Sequence, residues 1–183
     1  LQEILTFEDS LYVPEAGNWR DLRYPDREAY ANAWCHGAAG ILLSRLRLAG
    51  LKAFRDNPAV RQDLEQAARV LFARSWRDGL CLCHGMSGNC WIMETYLEAK
   101  EAAGIWPRDE EPERLEQEKE TAAAMKREII RRAARRADLL PQDEGQPGLM
   151  AGAAGIGLFL GRQLEAESIQ MRKKPQMPEK GML

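Results

Sequence analysis

Hydrophobic and polar positions along this chain alternate between two kinds of segment. In the first kind, an apolar run follows a pair of glycines three apart. It occurs three times, as Cys35-His36-Gly37-Ala38-Ala39-Gly40-Ile41, Cys83-His84-Gly85-Met86-Ser87-Gly88-Asn89 and Met150-Ala151-Gly152-Ala153-Ala154-Gly155-Ile156. The apolar runs behind them cover residues 41–51, 91–97 and 156–164. A glycine pair lets the backbone turn tightly and approach a neighbour closely, and a run of that width is buried on most sides. Each repeat therefore predicts a loop feeding an inner helix.

The second kind carries one apolar stripe and a charged back. Behind Asn57 as N-cap and Pro58 as first helical residue, Val60, Leu64, Ala67, Ala68, Leu71 and Ser75 share one face, and the pattern stops near Gly79. From about Pro112 to Ala137 the stripe is Leu115, Ala122, Met125, Ile129 and Ala133. Glu110, Glu111, Glu113 and Glu116 open that segment and Arg131, Arg132, Arg135 and Arg136 close it, the order a helix dipole favours. The acidic half cancels the arginines, so they read as a solvated face rather than a phosphate site. Both segments predict outer helices. No period-two alternation is sustained, so the fold class is all-α. Residues 1–33 read as a loop-rich approach with a short helix, 34–168 as the helical domain, and 169–183, basic and proline-containing, as a disordered tail.

Composition narrows the function classes. With 183 residues, 45% hydrophobic and 30% charged, the chain is one soluble globular domain that needs no disulfides. Lys and Arg number 26 against 28 Asp and Glu, a net charge of −2, so no broad cationic field exists for nucleic acid. The longest apolar stretch, residues 150–161, is well short of the roughly 20 residues of a membrane span, and nothing marks secretion. The expected compartment is the cytoplasm.

Four cysteines (Cys35, Cys81, Cys83, Cys90) accompany two histidines (His36, His84), each directly after a cysteine. Cys35, Cys83 and His84 form a candidate zinc set: two thiolates and an imidazole, with a fourth tetrahedral position open for a substrate atom. Equivalent loops of successive repeats lying side by side would bring Cys35 to Cys83, and a relaxed turn at Gly85 would help Cys83 and His84 converge. Cys81 and Cys90 read as small buried hydrophobes. His36 stays open on ligand chemistry alone. As a fourth ligand it closes a structural site, and as an outer donor or substrate contact it leaves a catalytic one.

The motifs carry a resemblance. The stretch from Ala33 to Ile41, then Leu82-Cys83-His84-Gly85 with Gly88-Asn89, then Gly148-Leu149-Met150 with Gly152, Gly155, Ile156 and Gly157, resembles the successive motifs of the lanthionine synthetase C-like (LanC-like) cyclases. Gly17-Asn18-Trp19-Arg20-Asp21-Leu22-Arg23 resembles the approach to the first cysteine in class II, LanM-type synthetases. The resemblance implies an α/α toroid of helical hairpins, of which this chain would supply about three of seven, as the C-terminal part of a larger synthetase. It implies zinc on Cys35, Cys83 and His84, with His36 outside the ligand set. It also implies Michael-type addition of peptide cysteines to dehydroalanine or dehydrobutyrine, forming thioether rings. The partners implied are a dehydrated precursor peptide and the remainder of the synthetase. The family's acid/base histidine upstream of the first zinc cysteine has no counterpart, and a cut toroid is expected to be inactive alone and to self-associate. Two alternatives are a non-catalytic zinc-containing peptide-binding scaffold and glutathione addition to dehydroamino acids.

Overall fold

The computed structural model describes residues 1–76, 79–102, 112–135 and 148–173. Helices α1 (Gln2–Asp9), α2 (Ala38–Ala49), α3 (Pro58–Arg74), α4 (Met86–Glu101), α5 (Pro112–Arg135) and α6 (Ala153–Lys173) dominate it. The inner helices begin earlier than their apolar runs, inside the glycine motifs themselves, because Gly37 and Gly85 occupy the N-cap positions of α2 and α4.

Packing follows the two kinds of segment. Helix α4 lies between α2 and α6, while α3 packs on α2 and α5 packs on α4 from outside. Asn57 caps α3 as expected, its Oδ1 accepting from the Ala59 and Val60 N–H groups. The α3 stripe (Val60, Leu64, Ala67, Ala68, Leu71) and the centre of the α5 stripe (Ala122, Met125, Ile129) are buried against Leu42, Ile92, Met93 and Tyr96. The end of the second outer segment, Arg136 and Ala137, lies outside the described residues, as do Glu110 and Glu111. Helix α6 runs past residue 168, the expected end of the domain, to Lys173, and the rest of the expected tail lies outside the described residues.

The approach segment contains strands that the sequence pattern did not predict. Strands β1 (Tyr12–Val13) and β2 (Asn18–Trp19) form one antiparallel pair, and β3 (Asn32–Ala33) and β4 (His36–Gly37) form another, with a bridge between Arg20 and Tyr30. Two-residue strands are too short to show a period of two. The short helix lies at α1, tied down by the buried Leu5 and by Arg45 of α2, whose guanidinium meets Glu8 at 2.6 Å, Asp9 at 3.3 Å and Asp63 of α3 at 2.7 Å.

Candidate metal centre

Cys35 occupies the tip of a hairpin. Ala33 pairs with His36 and Asn32 with Gly37, so Trp34 and Cys35 are the two residues of the turn. Gly37 takes φ +78°, and a Cβ there would lie 1.8 Å from the Ala31 carbonyl oxygen. Asn18 holds the hairpin to the start of α2: its Nδ2 donates to the Ala31 carbonyl at 3.1 Å, and its Oδ1 accepts from Ala38 N–H at 3.2 Å.

The three glycine loops are laced together by their backbones. Trp34 N–H donates to the Cys83 carbonyl at 2.9 Å, and Cys83 N–H donates to the Met150 carbonyl at 2.7 Å. The second glycine of each motif makes the loop possible by the same device. A Cβ on Gly40, Gly88 or Gly155 would stand 2.5, 1.8 or 1.9 Å from the carbonyl oxygen of Trp34, Leu82 or Leu149. In every case that carbonyl belongs to the residue just before Cys35, Cys83 or Met150, so the glycine sets the height of the position that follows it. Gly85 serves differently from the expected relaxed turn. Its φ is an ordinary −106°, and it is required because a Cβ would meet the Cys81 backbone at 2.4 Å.

Asn89, one residue past Gly88, is fully buried and ties the loops to the outer layer. Its Nδ2 donates to the carbonyls of Asn32 at 3.0 Å and Ser75 at 3.4 Å, while Asn32 Nδ2 donates to Ser75 Oγ at 2.9 Å. Nothing in the hydrophobic pattern announced this buried polar set, although Asn89 stands in the second motif.

The lacing brings the two expected sulfurs into contact. Cys35 is exposed and Cys83 half-buried, and the Cys83 thiol is pushed up to about 11, first by burial and then by the Cys35 thiol beside it. A thiol held neutral in this way beside a second sulfur forms a donor pair that a soft or borderline divalent cation fits, because the cation supplies the missing positive charge. His84 is exposed, and among the described residues no three His, Cys, Asp or Glu side chains gather closely enough to hold a metal ion. Cys81 and Cys90 are buried at 1% and 0% exposure, as expected of core thiols, and burial raises the Cys90 thiol.

His36 lies beside the sulfurs, its Nδ1 2.9 Å from Cys35 Sγ and its Nε2 2.5 Å from Arg23 Nη2. Arg23 in turn grips Asp21, and that hydrogen bonding holds the Asp21 carboxyl at about 2. Sequence reasoning gave no role to Asp21 or Arg23. The signal was present, since both stand in the Gly17-to-Arg23 stretch quoted above.

A family model described as "Lanthionine synthetase C-like protein" matches residues 1–174. The chain belongs to the lanthionine synthetase C-like family. The "Lacticin 481/lactococcin biosynthesis protein LcnDR2" of Lactococcus lactis subsp. lactis is 32% identical over 87 residues, which is 44% of this chain and 9% of that protein. The chain therefore spans a small part of that protein's length. The helical arrangement agrees with the family, with α2, α4 and α6 as inner and α3 and α5 as outer helices of an α/α arc.

Proposed function

We propose that this chain carries the cyclase chemistry of a lanthipeptide synthetase, with zinc held by Cys35 and Cys83, which already meet, and by the exposed His84, whose ring would turn in to complete the set, and with His36 outside the ligand set. The observation that supports this reading most directly is the contact between two cysteines far apart in sequence, made through the Trp34-to-Cys83 backbone bond. The substrate is a dehydrated precursor peptide, and the working enzyme includes the remainder of the synthetase in the cytoplasm.

Zinc, when bound, supplies the charge that keeps a thiol deprotonated at neutral pH. In the reaction, the sulfur of a peptide cysteine bonds to the β-carbon of a dehydroalanine or dehydrobutyrine. The π electrons move toward the carbonyl, and a proton is delivered to the α-carbon, so the thioether ring closes with no leaving group. With the metal bound, Cys35 and Cys83 would hold it as thiolates and would keep the site electron-rich. Trp34, next to Cys35, walls a groove of about 330 Å³ with Leu43, Arg47, Trp91 and Thr95, and this amphipathic groove suits an extended peptide. The Trp34 and Trp91 rings meet edge to face at 6.0 Å and shape its floor. The donor of the α-carbon proton is assigned, on the same reading, to the remainder of the synthetase.

Elemental analysis tests the site. About one zinc per chain is expected in the unmodified protein, with near-complete loss in Cys35→Ala and in Cys83→Ala and retention in His36→Ala. Retention in both cysteine variants removes the site, and loss in His36→Ala makes His36 a fourth ligand. Offering a dehydrated peptide with and without glutathione separates ring closure from glutathione addition.

A further inference from the structure

Two contacts of the His36 ring, whose Nε2 also lies 3.6 Å from Asp21 Oδ2, run in one direction. Arg23 Nε lies 3.0 and 3.2 Å from the two Asp21 carboxylate oxygens, Arg23 Nη2 lies 2.6 Å from Oδ2, and the Arg23 backbone N–H donates to Oδ1 at 3.1 Å. That clamp aims Arg23 Nη2 at His36 Nε2, 2.5 Å away. A guanidinium donates only. Nε2 therefore accepts, the ring proton sits on Nδ1, and Nδ1–H donates to Cys35 Sγ at 2.9 Å. The hairpin register makes this possible, because the turn at Trp34 and Cys35 leads directly into His36 on β4.

The two cysteines differ in a way that gives this donor a purpose. Cys35 is exposed and Cys83 half-buried, so Cys35 is the protein sulfur that an electrophile reaches first. A dehydroamino acid brought to the site meets an incoming peptide thiolate and a protein thiolate of the same chemistry. An N–H donor drains charge from the sulfur that accepts it and lowers that sulfur's reactivity.

We propose that Asp21, Arg23 and His36 are positioning residues that deliver a hydrogen bond to Cys35 and so keep this sulfur a ligand, leaving the peptide sulfur as the one that reacts. The proposal rests on the zinc reading above. It concerns how the site distinguishes its own thiolate from the substrate's.

The test uses the zinc-loaded 183-residue chain and iodoacetamide as the electrophile, with alkylation of Cys35 and Cys83 followed by peptide mass spectrometry and zinc counted in parallel. His36→Phe should speed Cys35 alkylation about tenfold, the scale of one lost hydrogen bond to a charged group, while Cys83 changes little and zinc remains. Arg23→Met should move Cys35 in the same direction by less, with Arg23→Lys restoring part of the protection. Nitrogen-15 NMR should place the His36 ring proton on Nδ1 in the unmodified protein and show that preference weakened in Arg23→Met. Should His36→Phe fail to fold, Arg23→Met, altered at a 59% exposed side chain, carries the measurement. An unchanged Cys35 rate with zinc retained, or a proton on Nε2, overturns the inference and leaves the zinc reading standing. An unmodified chain that takes up no zinc overturns the zinc reading and this inference with it.

Discussion

Main chain sets what some single positions in this chain can carry. Gly88 and Gly157 make the contrast. A methyl on Gly88 would sit 1.8 Å from the Leu82 carbonyl oxygen, whereas Gly157 on α6 has nothing within 4 Å of a Cβ. Gly88→Ala should cost at least the roughly 1–3 kcal/mol typical of overpacking, since the obstacle is main chain, and should loosen the loop that positions Cys83. Gly157→Ala should stabilise α6 by about 0.5–1 kcal/mol through the better helix former. Thermal melting of the two variants checks both signs. Asp63 supplies a pH dependence. Burial pushes its carboxyl up to about 6, against the pull of Arg45. The folded chain then holds this proton while the unfolded chain has released it, so the contribution of Asp63 to stability falls as pH rises from about 4 to about 6 and is level above that. Asp63→Asn should flatten that part of the stability profile in denaturant titrations at pH 4, 5, 6 and 7.

The helices divide by what holds them. Helices α3 and α5 are placed by apolar stripes, while α1, only eight residues long, depends on a buried charge cluster. Arg45 is 1% exposed and serves Glu8, Asp9 and Asp63 together, so it joins α1, α2 and α3 at one point. Removing one partner from such a cluster leaves uncompensated buried charge. Arg45→Met should therefore cost about 3–5 kcal/mol and release α1 first. Hydrogen exchange should show loss of protection over residues 2–9 before the α4 amides change. Helix α5 uses a milder version of the device: Glu118 meets Lys100 of α4 at 3.0 Å and Arg114 on its own helix at 3.1 Å. On its exposed side, Glu128 is held at about 2 by Arg131 and then Arg132, which agrees with a solvated, internally paired face.

Across the whole molecule, the inner helices form an arc whose outermost member is covered on one side. Ile156 and Phe159 of α6 are buried, whereas Leu158 is 48% and Leu164 68% exposed, with Leu149 at 54% just ahead of the helix. Large apolar side chains left exposed at the end of the arc are candidates for contact with a second copy. The chain in isolation should self-associate and close no rings on a dehydrated peptide by itself, as sedimentation and a turnover assay on one preparation will show. A stable monomer that forms thioethers would mean that these residues hold a complete active site. Among the described residues no helix is long and apolar enough to cross a membrane.

The repeated glycine motifs and the two stripe patterns were enough to read the helical class, the alternation of inner and outer helices and the buried faces, because each follows from local periodicity and from how close backbones can come. The pairing of Cys35 with Cys83 was legible only as an expectation, through the equivalence of the loops that carry them. Three features had no local signature. The Cys35 hairpin is built from strands too short to show a period, and the Asn32, Ser75 and Asn89 set joins residues from three separate segments. The line from Asp21 through Arg23 to His36 depends on where the approach segment folds back. Such contacts are decided by the tertiary structure, because a buried polar group or a ring tautomer is set by partners distant in the chain, and spacing along a sequence carries no record of them.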